Sequence, residues 1–294
     1  MLLADALQLV VNGLMAGAVL AVPAIGFTAI YAVLRFPTFA VGGMATVGAY
    51  AGWVANTTLG LPAYVSLAAA FAAGGLAGAV ADRLALRTLR PSRGGAGGAL
   101  AAAIASVALN IVIENAVRFV WGNDPRGYDL PVYRDWRIGD LRIGPQQLEN
   151  ALLATAAMAA LFVFLRSTRT GRMMRAVADN PALASLKGID AERVALLATV
   201  LGMGLAGFGG MLIGLDTSID PLTGFRVMLS VFAAAVVGGL GSVPGAVLGA
   251  FVVGLGEELS LLVLAPSYRT AVGFVAILLV LSFRPRGLLG ERAY

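Results

Sequence analysis

The chain of 294 residues contains no cysteine and no histidine. That excludes disulfides, thiolate nucleophiles, haem ligation and most zinc sites together. Charge is scarce too: 13% of residues are charged, against roughly 25% in soluble domains. No GxxxxGK[ST] loop and no GxSxG elbow occur, so nucleotide hydrolysis and serine-hydrolase chemistry are not expected here. No catalytic residue and no metal site is expected either. The net charge of +5 is arginine-based, with Lys187 the single lysine. No aromatic-interleaved basic patch suggests nucleic acid. The N-terminus shows no charged n-region and no cleavage site of a removable signal peptide.

What remains is apolar. Hydrophobic residues make up 59% and mean hydropathy is +0.86, which places the protein in a lipid bilayer. Its 38 glycines are spread through the apolar runs, where small residues let helices pack backbone to backbone. A spanning helix needs about 20 apolar residues. Six clear runs lie near 7–34, 62–82, 97–121, 147–165, 189–215 and 267–283. Two interrupted stretches lie at 36–56 and 225–262. The expectation is an all-α polytopic transmembrane helix bundle, one domain over 1–294, with about eight membrane elements. The interrupted stretches either cross as hairpins of short helices or re-enter. They look faintly alike, FAVGGMATVGAY at 39–50 and AAVVGGLGSVPGA at 234–246, as an internal repeat or as a chance match of glycine-rich sequence.

Arginines set the orientation. The segments 83–93, 166–188 and 284–294 hold twelve of the 21 basic residues and are expected in the cytoplasm. The 122–144 loop balances Asp124, Asp129, Asp135 and Asp140 against Arg126, Arg134, Arg137 and Arg142, and fits outside. The N-terminal topology is ambiguous, although Arg35 favours a cytoplasmic end for 7–34.

The segment 166–188, RSTRTGRMMRAVADNPALASLKG, reads as two short helices at an angle. Gly171 opens the first. Met173, Ala176 and Val177 form an apolar stripe, and Arg172, Arg175 and Asp179 occupy another face. Asn180 caps the second helix, Pro181 takes its first position, and Gly188 suits a left-handed cap. A solvated charged loop is the plainer reading. Docking to another protein is the functional one, with the stripe in the partner's groove and the charges at its rim.

GGLGSVPG, comprising Gly238, Gly239, Gly241, Ser242, Pro244 and Gly245, is expected to open backbone groups at membrane depth. It either lines a solute pathway or packs closely on a partner helix. Glu114 and Glu257 are the carboxylates set in apolar surroundings. Arg118 stands four residues after Glu114, so an ion pair is available there. Glu257 has no base at helical spacing, and binding to backbone N–H groups or to a partner chain is expected. A stand-alone carrier or channel for a small polar solute is the alternative class of function. A proton relay usually needs more acids or histidines than this chain offers.

Four stretches resemble the permease subunits of bacterial branched-chain (hydrophobic) amino acid ABC importers. The strongest is Ala233 to Gly290, which includes Glu257. The second is GRMMRAVADNPALASLKGID, similar to the family's cytoplasmic coupling segment. The third is NIVIEN at 110–115, where Glu114-Asn115 stands for the usual Gln-Asn. The fourth is TFAVGGMATVGAY at 38–50, commonly Asn-Phe-Ala-His-Gly-Glu at its start. There Thr38 replaces the Asn, Val41 the His and Gly43 the Glu, while Phe39, Ala40, Gly42, Gly48 and Tyr50 match.

The resemblance implies a multi-pass subunit of the bacterial inner membrane. It would work with a second permease, two cytoplasmic ATPases that carry the ATP and Mg, and an external solute-binding protein. The family's cargoes include Leu, Ile and Val, other amino acids, amides and urea.

Overall fold

The computed structural model describes residues 2–89, 96–131, 134–139, 141–284 and 286–290. Arg90, Arg93, Asp140 and Arg292, which enter the charge argument, lie outside these residues. The elements in order are α1 (Leu2–Leu34), α2 (Ala40–Trp53) prolonged by a π turn over Val54–Thr58, and α3 (Ala63–Ala81) prolonged by a π turn over Asp82–Leu86. Then come α4 (Arg87–Leu89), α5 (Ala96–Trp121), strands β1 (Trp136–Ile138) and β2 (Leu141–Ile143), and α6 (Pro145–Ser167). The chain continues with α7 (Arg169–Asp179), α8 (Pro181–Leu186), α9 (Ala191–Asp216), α10 (Thr223–Gly238), α11 (Val243–Leu259) and α12 (Arg269–Phe283). The two strands form an antiparallel hairpin in the 122–144 loop, with Trp136 opposite Ile143. Nothing in that short, mixed-charge loop signalled it.

Among the described residues, six helices are long and apolar enough to cross a membrane, and α10 and α12 are shorter apolar helices. The all-α polytopic bundle expected from the hydropathy is therefore the observed fold. The most buried spans are α1 and α9. Around them pack α2, α3, α6 and α11. Small residues make this possible. A Cβ on Gly26 would lie 2.5 Å from the Gly202 carbonyl oxygen, and one on Gly48 would lie 2.2 Å from Gly207 Cα. Between apolar helices in lipid, such backbone contact supplies the dispersion that larger side chains would hold off. The ring of Pro23, inside α1, is received by Gly209 of α9, where a Cβ would fall 2.6 Å from Pro23 Cδ.

Loop contacts sort the helix ends. At one end Asp129 N–H donates to Asn56 Oδ1 at 2.8 Å, Trp53 Nε1 donates to the Gly127 carbonyl at 3.0 Å, and Arg126 pairs with Ile219. Arg142 N–H donates to Gln8 Oε1 at 2.8 Å at this same end. At the opposite end Arg35 donates to the Ala178 carbonyl and Arg87 pairs with Glu192. The start of α1 thus shares an end with the 122–144 loop, and Arg35 shares one with the 166–188 segment. This agrees with the arginine argument for α1.

The two interrupted stretches resolve differently. Residues 35–39 are irregular, Arg35 has φ 58°, and α2 begins only at Ala40. Phe39 N–H donates to Ser106 Oγ at 2.8 Å, and Ser106 lies well inside α5. So α2 starts within the bundle, and with the π turn that prolongs it the helix runs from Ala40 to Thr58. By contrast, α10 and α11 form a hairpin whose turn lies at the Arg35 end. The 225–262 stretch thus folds as two helices joined by a turn, α10 of 16 residues and α11 of 17 residues. The supposed repeat has no structural counterpart: Gly42 and Gly43 lie inside α2, whereas Gly239 has φ 109° in a turn.

Candidate functional site

The 166–188 segment is built as two capped helices. Gly171 N–H donates to Thr168 Oγ1 at 3.0 Å, so Thr168 caps α7 and Gly171 falls in its first turn. Glycine is required there by space, since a Cβ would sit 2.4 Å from the Leu165 carbonyl oxygen. Leu183 N–H donates to Asn180 Oδ1 at 3.0 Å, Pro181 opens α8, and Gly188 has φ 80°. These three are placed as the sequence predicts.

The direction of the apolar stripe is not. Met174 and Val177 are buried in a cluster with Ala184, Val194 and Ala198, and Met173 and Ala176 pack against it. The stripe that was expected to fill a partner's groove instead anchors α7 to the start of α9. The physical reason is proximity: α9 follows eleven residues after α7 and offers its own apolar first turns. The arginines also work inward. Arg172 Nη1 donates to the Ser167 carbonyl at 2.9 Å, Arg175 Nη1 donates to the Leu165 carbonyl, and Arg35 reaches the Ala178 carbonyl. Each guanidinium satisfies a carbonyl in the last turn of a helix, where cations are favoured. What the segment presents outward is Asp179, the free donors of Arg172 and Arg175, and two leucines. Leu183 is 60% and Leu186 81% exposed. Sequence reasoning missed both leucines. Their three-residue spacing, opposite the buried Ala184, was the available signal.

The second group surrounds the break before α2. Thr38 is buried, and its Oγ1 has no hydrogen-bond partner among the described residues. The Phe39 ring stands 5.5 Å from that of Phe232. Gly42 and Gly43 face α5: their added Cβ atoms would lie 3.1 and 3.0 Å from Asn110 Oδ1. That oxygen is buried without a partner, as is Thr28 Oγ1. A buried orphan polar group costs about 1–3 kcal/mol, so several together inside an apolar bundle call for a functional account.

Glu114 pairs with Arg118 at 2.9 Å, one turn further along α5. Asn115 Nδ2 donates to the Ile111 carbonyl of its own helix at 2.8 Å. Glu257 accepts from Ser230 Oγ at 2.6 Å, and Arg269 Nε stands 3.7 Å away. Arg269 also pairs with the buried Glu258. Glu257 therefore has a hydroxyl donor and a nearby base within this chain, where backbone N–H groups or a partner chain were expected. The base lies twelve residues on, across the turns that end α11 and begin α12, where helical spacing cannot reveal it.

GGLGSVPG is a turn closed by other backbone. It forms the α10–α11 turn, and the C-terminal segment lies against it. Leu288 N–H donates to the Val237 carbonyl at 2.8 Å and Leu289 N–H to the Gly238 carbonyl at 2.9 Å. A Cβ on Gly239 would meet Gly290 N at 2.5 Å. Gly238 and Gly245 pack backbone to backbone, Ser242 caps α11 by accepting from Gly245 N–H at 3.2 Å, and Pro244 lies in its first turn. Gly241 has φ 92° with open space beside it.

Comparison with known proteins shows which sequences the chain resembles. The model of the family described as "Branched-chain amino acid transport system / permease component" matches residues 9–281. The chain is 33% identical to the high-affinity branched-chain amino acid transport system permease protein LivH of Escherichia coli (strain K12), over 97% of this chain and 96% of the relative. It is 32% identical to BraD of Pseudomonas aeruginosa, with the same coverage of both. It is 28% identical to the probable branched-chain amino acid transport permease protein LivH of Methanocaldococcus jannaschii, over 91% of this chain and 87% of the relative. The sequence is thus matched along nearly its whole length, and the chain belongs to the branched-chain amino acid transport system permease component family.

Proposed function

We propose that this permease forms, with a second permease, the solute pathway of an importer for branched-chain or other hydrophobic amino acids or related small amides. It would lie in the bacterial inner membrane, with the Arg35 end cytoplasmic. ATP and Mg belong to two ATPase subunits docked on that end, and an external binding protein delivers the cargo. The sequence carries no P-loop motif, and movement by contact with an ATPase is the reading that follows.

The observation that carries the coupling part is the exposure of Leu183 and Leu186 on a segment whose other face is packed into the bundle. A rigid segment transmits displacement, and exposed leucines on a short helix fit groove recognition. The free donors of Arg172, which lies outside the lining of the cavity beside α7, flank them and set orientation. Support for a pathway beside the α2 break comes from the orphaned oxygens of Thr38 and Asn110 around Gly42 and Gly43. A discontinuous helix whose N-terminus lies inside the bundle offers N–H groups to a carboxylate. Gly43, where relatives by resemblance carry Glu, makes this break less acidic, so the cargo is read as a class. Glu114 and Asn115 bond within α5, and Glu257 ties α11 to α10 and α12.

The test is co-purification of the permease with its ATPases and binding protein, followed by identification of the solute held by that binding protein. A branched-chain or hydrophobic amino acid, or an amide, supports the reading. A sugar or an inorganic ion contradicts the cargo, and absence of any ATPase contradicts the importer assembly.

A further inference from the structure

We propose that a cavity at the arginine-rich end of the bundle binds one anionic phospholipid. The cavity has a volume of about 1250 Å³ and lies between the end of α1, the end of α6, α7 and the α10–α11 turn. Small-molecule sites occupy roughly 300–1,000 Å³, so an amino acid would leave most of it empty. Its wall is apolar, with Ala29, Ala32, Phe162 and Val163. Val163 is 64% exposed, and α6 is among the least buried spans. The cavity therefore opens sideways, toward the surface that α6 presents to lipid.

Its charged lining is Arg35, Arg166 and Arg175 against Asp179, three positive groups to one negative. Arg35 and Arg175 each spend a donor on a backbone carbonyl, and a guanidinium has five. Donors remain on all three for a phosphate, and the excess positive charge selects an anionic headgroup over a zwitterionic one. Basic pockets between spans on the cytoplasmic side suit such headgroups, and the apolar wall behind them suits an acyl chain. A bound headgroup would join Arg175 of α7 to Arg35 and Arg166 of the spans, tying the coupling segment to the bundle. The inference needs only membrane embedding and stands apart from the choice of cargo.

The experiment is native mass spectrometry of the full chain released from bilayers of equal phosphatidylglycerol and phosphatidylcholine. One phosphatidylglycerol is expected to be retained in preference. Arg35→Gln and Arg166→Gln should each lower that retention roughly fivefold, the effect of one charge near a membrane surface. Ala32→Phe should remove the lipid while leaving every charge in place. Val163→Trp repeats this at an exposed position, where folding is not at stake. Inorganic phosphate should not displace the lipid. Equal retention of both lipids overturns the proposal. So does unchanged retention in Val163→Trp, which would indicate a headgroup-only phosphate site. Loss of the lipid when a second permease binds would mark the cavity as an interface between chains and overturns it too.

Discussion

Val177 of α7 and Val194 of α9 lie in one buried cluster, so the 166–188 segment is fixed to the bundle by the residues that looked, in sequence, most like a docking stripe. Val177 is 4% exposed. Val177→Asp places a carboxylate among Met174, Ala184 and Ala198, at a cost of about 3 kcal/mol. Thermal unfolding of the purified permease is expected to begin earlier, with proteolysis appearing first within 166–190. Leu186→Asp, at an 81% exposed position, should leave the unfolding midpoint where it was. Equal midpoints for both variants would contradict the packing described.

The Glu114–Arg118 pair gives a second expectation. Side-chain exposures of 14% and 36% put it at the edge of the bundle, on a helix long and apolar enough to cross. Arg118→Leu leaves the carboxylate alone at a cost on the order of 3 kcal/mol by insertion scales. The yield of folded protein in detergent should fall, and adding Glu114→Gln should recover most of it. Failure of the double variant to recover would mean that Arg118 matters through other contacts, such as the Asn115 amide at 3.5 Å.

Tyr128 supplies a pH-dependent test. Its hydroxyl donates to the Ala49 carbonyl at 2.8 Å, and burial pushes the phenol well above its ordinary value of 10.0. The folded protein therefore holds the neutral form. Stability from this group is present below about pH 10 and declines above it, as the unfolded chain ionises and the folded one does not. Tyr128→Phe should flatten the loss of stability between neutral pH and pH 11. An unchanged slope would place the alkaline sensitivity elsewhere.

Much of this was legible in sequence, and the limits have physical causes. Runs of about 20 apolar residues gave five of the membrane-length helices, because length and hydropathy are local quantities. But the run at 267–283 is the shorter helix α12, and the further long apolar helix, Val243–Leu262, lies in the stretch read as interrupted. Asn180, Pro181 and Gly188 gave the α8 boundaries because caps are local too. The Glu114–Arg118 pair followed from one helical turn. Relations between elements were hidden. Which face of α7 is buried depends on α9, and the base for Glu257 sits on α12. The backbone partners of GGLGSVPG come from the C-terminal segment, about fifty residues on. Glycine content signalled close packing without saying which pairs meet, as Gly48 and Gly207 do.

The central claim is that an ATPase grips this subunit through the outward face of α8. The most direct measurement compares ATPase co-purification and ATP-dependent uptake in vesicles for the wild type, Leu183→Asp and Leu186→Asp. The account predicts that both variants insert normally and still engage the external binding protein. ATPase retention and uptake should fall together by tenfold or more, as burying a charge in an apolar groove costs a few kcal/mol. Wild-type retention and uptake in both variants would contradict it.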